Sequence, residues 1–374
     1  MKLITTIAFI LLFSTSLFGL PPHAFATSIT ISNPYVTKSN SYKGQLHNHT
    51  TNSDGSSSPW DVVTAYKNAG YNFISITDHN LITPDPGVNG IFFIPGAEQS
   101  CIGGHIGRIK AKSLETNISI PAQTLINKIN AEGGIAILNH PYYPKPNGTW
   151  TPARIDALSG YAGIEIFNSL LLNDGTAYAE DRWDYVLSQN KMVWGFATDD
   201  CHNQNSSKCR TAYIRVFANN LTFDEIFNNI KSGNFYSGYT PHGSTDIRIT
   251  ISVADNTITT TTNVPATIEF ITSGGQVKKT VKNSTSSSYT PIVADKYVRI
   301  RVTKGGAQVW SNPLQINPPP GDLDRDGDVD IDDYNTLISD FGKTGTAGWI
   351  PADIDKNGRV DIFDYNILVG NFGK

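Results

Sequence analysis

The segment Gly44–His49 (GQLHNH) carries two histidines two positions apart, and an acidic turn, Thr51–Gly55 (TNSDG), follows it. Residues two apart on an extended strand project from the same face, so the imidazoles of His47 and His49 can reach one metal ion. Four of the chain's other six histidines lie at or near the ends of short apolar segments. These four are His79, His105, His140 and His202. The pattern indicates a metal site whose ligands are spread along the chain.

The elements that must position these ligands alternate between short β-prone segments and helical patterns. Helices are predicted at 58–70, 121–131, 177–189 and 223–231, the first with Ser58 as N-cap and Pro59 at its first position. Strands are predicted at 45–49, 73–78, 91–97, 105–111, 135–139, 163–167, 192–197 and 212–217. Alternation of this kind predicts an α/β fold with a largely parallel sheet that closes into a barrel over residues 41–240.

Several polar residues come directly after these strands, where barrel enzymes place their functional groups. They are Asp78, His79, Glu98, His140, Asp200 and His202. A single histidine in such a place is more often a loop or capping residue, but six histidines with carboxylates beside them indicate one site. Imidazole and carboxylate ligands suit zinc, manganese or iron, and the sequence has no cysteine set at structural-zinc spacing.

The ordered motifs HNH, TNSDG, TDHN, GAEQS, GGH, NHP and DDCH resemble those of the PHP (polymerase and histidinol phosphatase) metallohydrolase superfamily over residues 42–238. The resemblance implies a distorted seven-stranded (β/α) barrel with two or three divalent transition metals (Zn, Mn or Fe) at its mouth. It implies that His47, His49, Glu98 and Asp200 hold the first metal, that Glu98, His105 and His140 hold the second, and that Asp54, His79 and His202 hold the third.

At the position of Asp54 many members of this superfamily have histidine, which predicts a third site that binds more weakly or prefers a harder metal. Clustered cations lower the pKa of a bridging water and bind the oxygens of a phosphoryl group. We therefore expect a metal-dependent phosphoesterase that acts on a small phosphorylated substrate. Hydrolysis of a carbamate, amide or lactone, and a non-catalytic binding module, remain as alternatives.

Further polar residues are candidates for supporting roles. Asp78 is expected to orient an imidazole, and Asp199 either does the same beside Asp200 or caps a turn. Arg108 and Arg210 are candidate phosphate clamps, although a surface position is the common role of arginine. Asn168 follows another predicted strand and is a candidate substrate contact.

Residues 1–26 show the charged, apolar and small-residue order of a secretory signal, which predicts a secreted or cell-surface protein. An uncleaved membrane anchor is the alternative, and no later segment is apolar enough to span a membrane. The formal net charge of −4 provides no basic surface, so nucleic-acid binding is not expected. Cys201 and Cys209 could form a disulfide in an oxidising compartment and leave Cys101 free, but the sequence does not fix this pairing.

After about residue 240 the pattern changes to alternating threonine, isoleucine and valine. This predicts a small antiparallel β-domain at 241–317 that supports the barrel, with a carbohydrate-binding β-sandwich as the alternative. The proline-rich segment 318–321 is expected to be a stiff linker.

An internal repeat follows at 322–343 and 353–374. Each copy begins with oxygen ligands at the spacing of a calcium loop, with glycine at position 6. The first set is Asp322, Asp324, Asp326, Asp330 and Asp333 with the peptide carbonyl of Asp328, and the second is Asp353, Asp355, Asn357, Asp361 and Asp364 with the carbonyl of Arg359.

Aspartate at position 12 and a single helix after each loop are similar to the dockerin module. The resemblance implies two Ca²⁺ ions at 322–374 and a cohesin-bearing scaffold or cell-surface protein as partner.

Overall fold

The computed structural model describes residues 29–143, 150–345 and 350–373. The predicted signal at 1–26 lies outside these residues. Among the described residues, no helix is both long enough and apolar enough to cross a bilayer.

Four of the helices confirm the sequence-based predictions, and their ends follow local chemistry. Ser58 accepts a hydrogen bond from the Asp61 amide at 3.2 Å, Pro59 takes the first helical position, and Gly70 lies just beyond the end with a φ of 80°. These are the expected capping and stop signals. The helices lie at Pro59–Asn68 (α1), Ala122–Ala131 (α2), Pro152–Asp156 (α3), Glu180–Ser188 (α4), Phe223–Lys231 (α5), Ile331–Asp340 (α6) and Ile362–Asn371 (α7).

The strands form two hydrogen-bonded networks. The strands are Thr30–Ser32 (β1), Asn40–Gln45 (β2), Phe73–Ile74 (β3), Phe92–Phe93 (β4), Gly96–Cys101 (β5), Gly104–Ile109 (β6), Ile135–Leu138 (β7), Gly163–Asn168 (β8), Trp194–Thr198 (β9), Ala212–Ala218 (β10), Phe235–Tyr239 (β11), Ile249–Ala254 (β12), Thr257–Thr272 (β13), Gln276–Tyr289 (β14), Tyr297–Lys304 (β15), Ala307–Ser311 (β16) and Leu314–Asn317 (β17). One sheet has the order β5-β6-β7-β8-β9, and the other runs β1-β17-β15-β16-β11-β10-β2-β3-β4 with β12, β13 and β14 attached through β13.

The expectation of a closed, largely parallel barrel is wrong. Gly103, with a φ of 99°, lies in a tight turn between β5 and β6, so these strands pair antiparallel, as do β10 and β11. At the boundary between the sheets, side chains replace the strand ladder: the Ala197 amide donates to the Ser237 hydroxyl at 3.1 Å, and that hydroxyl donates to the Gly195 carbonyl at 2.6 Å. The two sheets therefore lie side by side, and within the described residues no continuous strand ladder joins them into a closed barrel.

A shared apolar core holds the two sheets together. Leu46, Phe73 and Ile214 come from the segments around β2, β3 and β10, whereas Ile137 and Phe196 come from β7 and β9, and all belong to one buried cluster. Burial of such side chains stabilises the fold by roughly 1.5–3 kcal/mol each. The core thus fixes the strand ends, and with them the loops that carry the polar residues.

The antiparallel strands predicted at 241–317 are present as β12 to β17. They extend the sheet of the preceding region, because β16 pairs with β11. A buried ion-pair network also crosses this boundary: Arg299 donates to both carboxylate oxygens of Asp184 at 2.7 Å and to Glu180 at 2.8 Å. The strands after residue 240 are therefore packed on the α/β region through backbone and side-chain contacts.

The C-terminal repeat forms a small helical unit. Its buried core consists of five side chains, and the rings of Tyr334 and Tyr365 meet edge to face at 6.3 Å between centroids. The five are Val329, Leu337, Ala352, Val360 and Leu368. In each copy the aspartate at loop position 9, Asp330 or Asp361, caps the following helix. One loop and one helix per copy agree with the predicted pattern.

Candidate metal centre

The two histidines of the HNH motif lie beyond the end of β2, which finishes at Gln45. The predicted strand at 45–49 is therefore displaced, yet both imidazoles still face the same point. Their Nε2 atoms are 3.2 Å apart. Asp200 Oδ1 lies 3.3 Å from His47 Nε2 and 3.2 Å from His49 Nε2, and Glu98 Oε2 lies 3.3 Å from each. The four residues expected to hold the first metal are thus brought together.

Glu98 lies at the middle of the cluster and is almost fully buried. Its Oε1 is 2.8 Å from His140 Nε2 and 3.3 Å from His105 Nδ1, and it also accepts a hydrogen bond from Asn139 at 2.9 Å. Its Oε2 faces the pair from the HNH motif and also His79 Nδ1, at 3.2 Å. The two oxygens of one carboxylate therefore face different sets of imidazoles, as a bridging ligand must.

The remaining ligands form the outer rim. Asp54 Oδ2 is 3.2 Å from His202 Nε2 and 3.5 Å from His79 Nε2, while its Oδ1 is 3.3 Å from His49 Nδ1. The Asp54 side chain is 51 % exposed, whereas that of Glu98 is 1 % exposed. All nine predicted ligands therefore belong to one cluster that is buried on one side and opens to solvent on the other.

Unpaired polar atoms in this cluster fit a cation. Asp200 Oδ1, His105 Nδ1 and His140 Nδ1 are buried and have no hydrogen-bond partner in the part of the chain that the structure describes. Asp200 Oδ1 lies near the Nε2 atoms of His47 and His49, so its burial is compensated where those imidazoles carry protons or where a metal ion replaces the protons. The His47–His49–Asp200 and His79–Glu98–His105 groups each offer ligand atoms within 4.8 Å of one another. Both the donor types and their spacing suit a transition metal.

The charges in the cluster are strongly coupled. Burial raises the pKa of Glu98, but the imidazoles of His47 and His140 outweigh burial and hold that pKa well below its usual range. Burial lowers the pKa of His47, yet Asp200, Glu98 and Glu165 raise it well above its usual range. The cluster thus concentrates negative charge that a proton on histidine or a metal cation can neutralise.

Glu165 is a member of the site that the sequence analysis missed. Its Oε1 lies 2.5 Å from His47 Nδ1 and accepts from the Thr198 hydroxyl at 2.7 Å, while its Oε2 accepts from the His140 amide at 2.7 Å. A carboxylate on Nδ1 fixes the ring so that Nε2 faces the cluster. The available signal was the charged residue within the apolar strand GIEIF, which is costly to bury unless it is paired.

Two ligands adopt a strained backbone. His140 and Asp200 have φ values of 31° and 50°, in the left-handed region that residues with a Cβ seldom adopt. Such a conformation costs on the order of 1–3 kcal/mol and persists only where the surroundings enforce it. The Asp200 amide donates to the His47 carbonyl at 3.1 Å, which ties the two ligand segments together. The backbone strain thus lies at His140 and Asp200, two candidate ligands whose side-chain positions determine the geometry of the cluster.

Asp78 does not contact an imidazole as expected. It accepts hydrogen bonds from the Thr50 amide, the Thr50 hydroxyl and the Ser53 hydroxyl, each at 2.7 Å, and from the Thr83 hydroxyl. Asp78 therefore holds the turn that presents Asp54, and acts on the backbone of the ligand segment.

Asp199 and Asn168 also hold ligand segments. Asp199 accepts from the Tyr66 hydroxyl and from the amides of Arg210, Thr211 and Ala212. Asn168, expected to touch substrate, donates instead to Asp200 Oδ2 at 3.1 Å and to Glu165 at 3.2 Å.

Neither predicted phosphate clamp joins the cluster. Arg108 pairs in register with Ala97 across β5 and β6, one position from the Glu98–Gly107 pair, so it projects from the opposite face of the sheet. There it contacts Glu132 Oε2 at 2.6 Å and Gln99 at 2.9 Å. The Arg210 side chain donates to Gln204 at 2.7 Å and lines a different cleft.

Cys201 and Cys209 form a disulfide, the pairing that the sequence had left open, and Cys101 is free and buried. The bond closes a loop that begins beside Asp200 and contains His202. The Cys201 carbonyl also accepts from the His49 amide at 3.0 Å. The disulfide therefore constrains the segment that carries two candidate ligands.

Carboxylates also gather in the first C-terminal loop. Asp322, Asp324 and Asp326 form one group of converging oxygens, and Asp328, Asp330 and Asp333 form another. Both oxygens of Asp322 are buried without a hydrogen-bond partner among the described residues. In the second loop the Asp364 carboxylate accepts from the amides of Ile354 and Asp361, as Asp333 does from Leu323 and Asp330. The carboxylates at position 12 of the two loops therefore make equivalent hydrogen bonds.

No family model and no curated protein matches the chain. Among solved structures, a two-domain protein of Bacteroides vulgatus containing a predicted PHP-like metal-dependent phosphoesterase shares 17 % identity, with 73 % of this chain and 92 % of that chain covered and a TM-score of 0.43. An amidohydrolase of Chromobacterium violaceum shares 14 %, covering 43 % and 88 % with a TM-score of 0.35. An endonuclease Q complex with duplex DNA shares 19 %, covering 51 % and 57 % with a TM-score of 0.40. At this level of similarity, function must be argued from the side chains of the site.

Proposed function

We propose that the chain is a metal-dependent phosphoesterase that hydrolyses a phosphate ester with a metal-activated water in a trinuclear centre. The observation that carries the proposal is the position of Glu98, whose two oxygens face separate sets of imidazoles within one cluster. Divalent cations held there would lower the pKa of a coordinated water and bind the oxygens of a phosphoryl group.

The candidate ligands differ in how deeply they are buried, and this difference separates an inner group from an outer rim. His47, His49, Glu98 and Asp200 are buried, and Glu165 fixes the His47 ring, so this inner part keeps its geometry without help from solvent or substrate. The side chains of His79, His105 and His202 are 29 %, 30 % and 26 % exposed. Substrate therefore approaches from the rim, where its oxygens can reach the outer metal positions.

Hydrolysis of a carbamate, amide or lactone is the second candidate. It is favoured by one observation: the two arginines expected to clamp a phosphate, Arg108 and Arg210, both have their side chains elsewhere. A neutral acyl substrate needs no guanidinium clamp, because a metal-bound hydroxide can attack its carbonyl directly. DNA must also be tested, because the endonuclease Q structure contains a DNA duplex, which weighs against our expectation that nucleic acid is not bound.

A substrate screen tests the proposal. The purified chain, supplied with Mn²⁺, Zn²⁺ or Fe²⁺, is assayed on phosphomonoesters, phosphodiesters, carbamates, lactones and an abasic DNA duplex. We expect turnover of a phosphoester that disappears on chelation, returns with metal, and is absent from Asp200→Asn prepared in the same way. Turnover of only carbamates or lactones would support the second candidate, and no metal-dependent turnover of any substrate would contradict both.

We also propose that the chain is exported and that residues 322–374 bind two Ca²⁺ ions and a cohesin. The disulfide of Cys201 and Cys209 supports an oxidising compartment. Ile331 and Ile362, both at loop position 10, are 56 % and 53 % exposed, so each copy presents an apolar group at the same place. Position 11 is Asp332 in the first copy and Phe363, 62 % exposed, in the second. Surface-immobilised cohesins should retain the chain with calcium and release it with chelator. Calcium-independent retention, or none with any cohesin, would contradict this part of the proposal.

A further inference from the structure

A second cleft, of about 660 Å³, lies on the outer face of the pairing between β2 and β10. Lys43 and Arg215 stand opposite each other in that pairing, and residues of the segment 240–248, which leads into β12, line the cleft with them. No ligand of the metal cluster lines this cleft. Its charged and titratable lining residues are Lys43, Arg210, Arg215, His242, Asp246 and Arg248.

The lining has more positive than negative charge. Asp246 is its one carboxylate, and it is shared between Arg215 Nη2 and Arg248 Nε, each at 3.1 Å. Among the residues that the structure describes, the side chains of Lys43 and Arg210 pair with no carboxylate. Three permanently charged guanidinium groups and an ammonium group thus surround a concave space with a single counter-charge.

Two of the positive groups, on Arg215 and Lys43, are also partly shielded from water. Arg215 is 7 % exposed, and its Nε has no hydrogen-bond partner in the described part of the chain. Lys43 Nζ lies over the rings of Tyr71 and Tyr213, at 4.2 and 4.6 Å from their centroids. Burial, with Arg215 nearby, lowers the pKa of Lys43 to about 8. Crowded and partly desolvated cations destabilise one another, and a bound anion relieves that repulsion.

We propose that this cleft binds the sulfate or phosphate group of a small molecule, separately from the metal centre. Guanidinium groups bind a tetrahedral oxyanion through paired hydrogen bonds, and an ammonium adds a point charge. The volume is within the range of small-molecule sites and exceeds that of a bare oxyanion, which leaves room for the group that carries it. The shared chemistry of the ligand is a multiply charged tetrahedral oxyanion.

Titration of the full metal-loaded chain with inorganic sulfate at low ionic strength tests the proposal. We expect saturable binding that Lys43→Gln and Arg248→Gln each weaken by about tenfold or more, because each removes a charge-assisted contact. Lys304→Gln is the matched control, since Lys304 lines another surface cleft of about 560 Å³. Sulfate bound at the metal ions would have the same affinity in every variant. A difference in affinity between variants therefore reports binding in the cleft.

Arg248 is exposed, so its substitution does not threaten folding and keeps the test valid if Lys43→Gln is unstable. Galactose 6-sulfate and galactose 6-phosphate are then titrated side by side. The compound that binds more tightly shows whether the cleft prefers a sulfate or a phosphate group. The absence of saturable sulfate binding would overturn the proposal. Equal affinity in all variants, or equal weakening by Lys304→Gln, would overturn it as well.

Discussion

The metal cluster and the C-terminal repeat both collect carboxylates, but they differ in what holds the ligands before a cation binds. The cluster draws ligands from His47 to His202, and partners such as Glu165, Asn139 and Asn168 hold them in place. Each loop of the repeat takes its ligands from twelve consecutive residues, above a core of five buried side chains. The cluster is therefore preorganised by the fold, whereas we expect the repeat to depend on a bound cation for its folding.

The first test of this contrast is Glu98→Ala, which has the largest expected effect. Loss of both oxygens should abolish hydrolysis of any substrate and lower the metal content by more than one ion, while the fold survives on the apolar core that joins the sheets. Metal analysis, activity and circular dichroism measure the three outcomes. Glu115→Ala, which removes a surface carboxylate paired with Lys128, should change none of them. Loss of a single ion with activity retained would show that Glu98 does not bridge two metal ions.

The contrast also explains what the sequence could predict. The acidic loops of the repeat are predicted from consecutive residues, and the helices α6 and α7 follow them as expected. The nine candidate ligands follow from the resemblance of the ordered motifs, and the structure brings all nine into one cluster. The closed barrel and the role of Arg108 were wrong, because a sequence does not show which strands pair or which face a residue of a buried strand occupies. The sequence does show the charge of Glu165 within the apolar segment GIEIF, but it does not show that this side chain faces His47.

Calcium removal is the second test, and it should affect only the repeat. Without cation the clustered aspartates repel one another, so α6 and α7 should unfold, and the full chain should lose helical circular dichroism that calcium restores. A chain that ends at residue 317 should show no such change and should still hydrolyse substrate. Equal helicity with and without calcium, or loss of hydrolysis on truncation, would show that the two regions are not independent.

Neighbouring acids in the DDCH motif give a third test. Asp200 faces His47 and His49, whereas Asp199 accepts hydrogen bonds from Tyr66 and from backbone amides. Asp200→Asn should therefore cost far more activity than Asp199→Asn, whose loss should be about 10–100-fold because it acts through the backbone of a ligand. Metal content should fall mainly in Asp200→Asn. Equal losses in activity and metal would place both acids in the coordination sphere.

Glu165→Gln is a more conservative change and should have a smaller effect than loss of a ligand. The glutamine keeps the shape but loses the negative charge on His47 Nδ1, so metal affinity or activity should fall by about 10–100-fold. Thermal unfolding separates this from general damage, because the metal-free protein should unfold at a temperature close to that of the original chain. An unchanged affinity for metal would mean that Glu165 serves packing alone.

The smallest expected effect concerns pH and the repeat. Burial, reinforced by Asp333 and Asp326, raises the pKa of Asp322 to about 6. In the unfolded chain this carboxyl should titrate near its ordinary value of about 4. Because folding raises the pKa, the calcium-free folded state is favoured when Asp322 is protonated, and that advantage is lost as the pH rises from about 4 through 6.

Asp324 and Asp328 shift in the same direction, since burial and neighbouring carboxylates act on each. In calcium-free buffer, α6 and α7 should therefore recover part of their helical circular dichroism at pH 5 and lack it at pH 7. With calcium present the order should reverse, because protons then compete with the ion for the same oxygens. Asp322→Asn should reduce both dependences, whereas the same change at Asp61, outside the repeat, should leave them intact. A calcium-free repeat that is more stable at pH 7 than at pH 5 would show that its carboxylates are not held together by the fold.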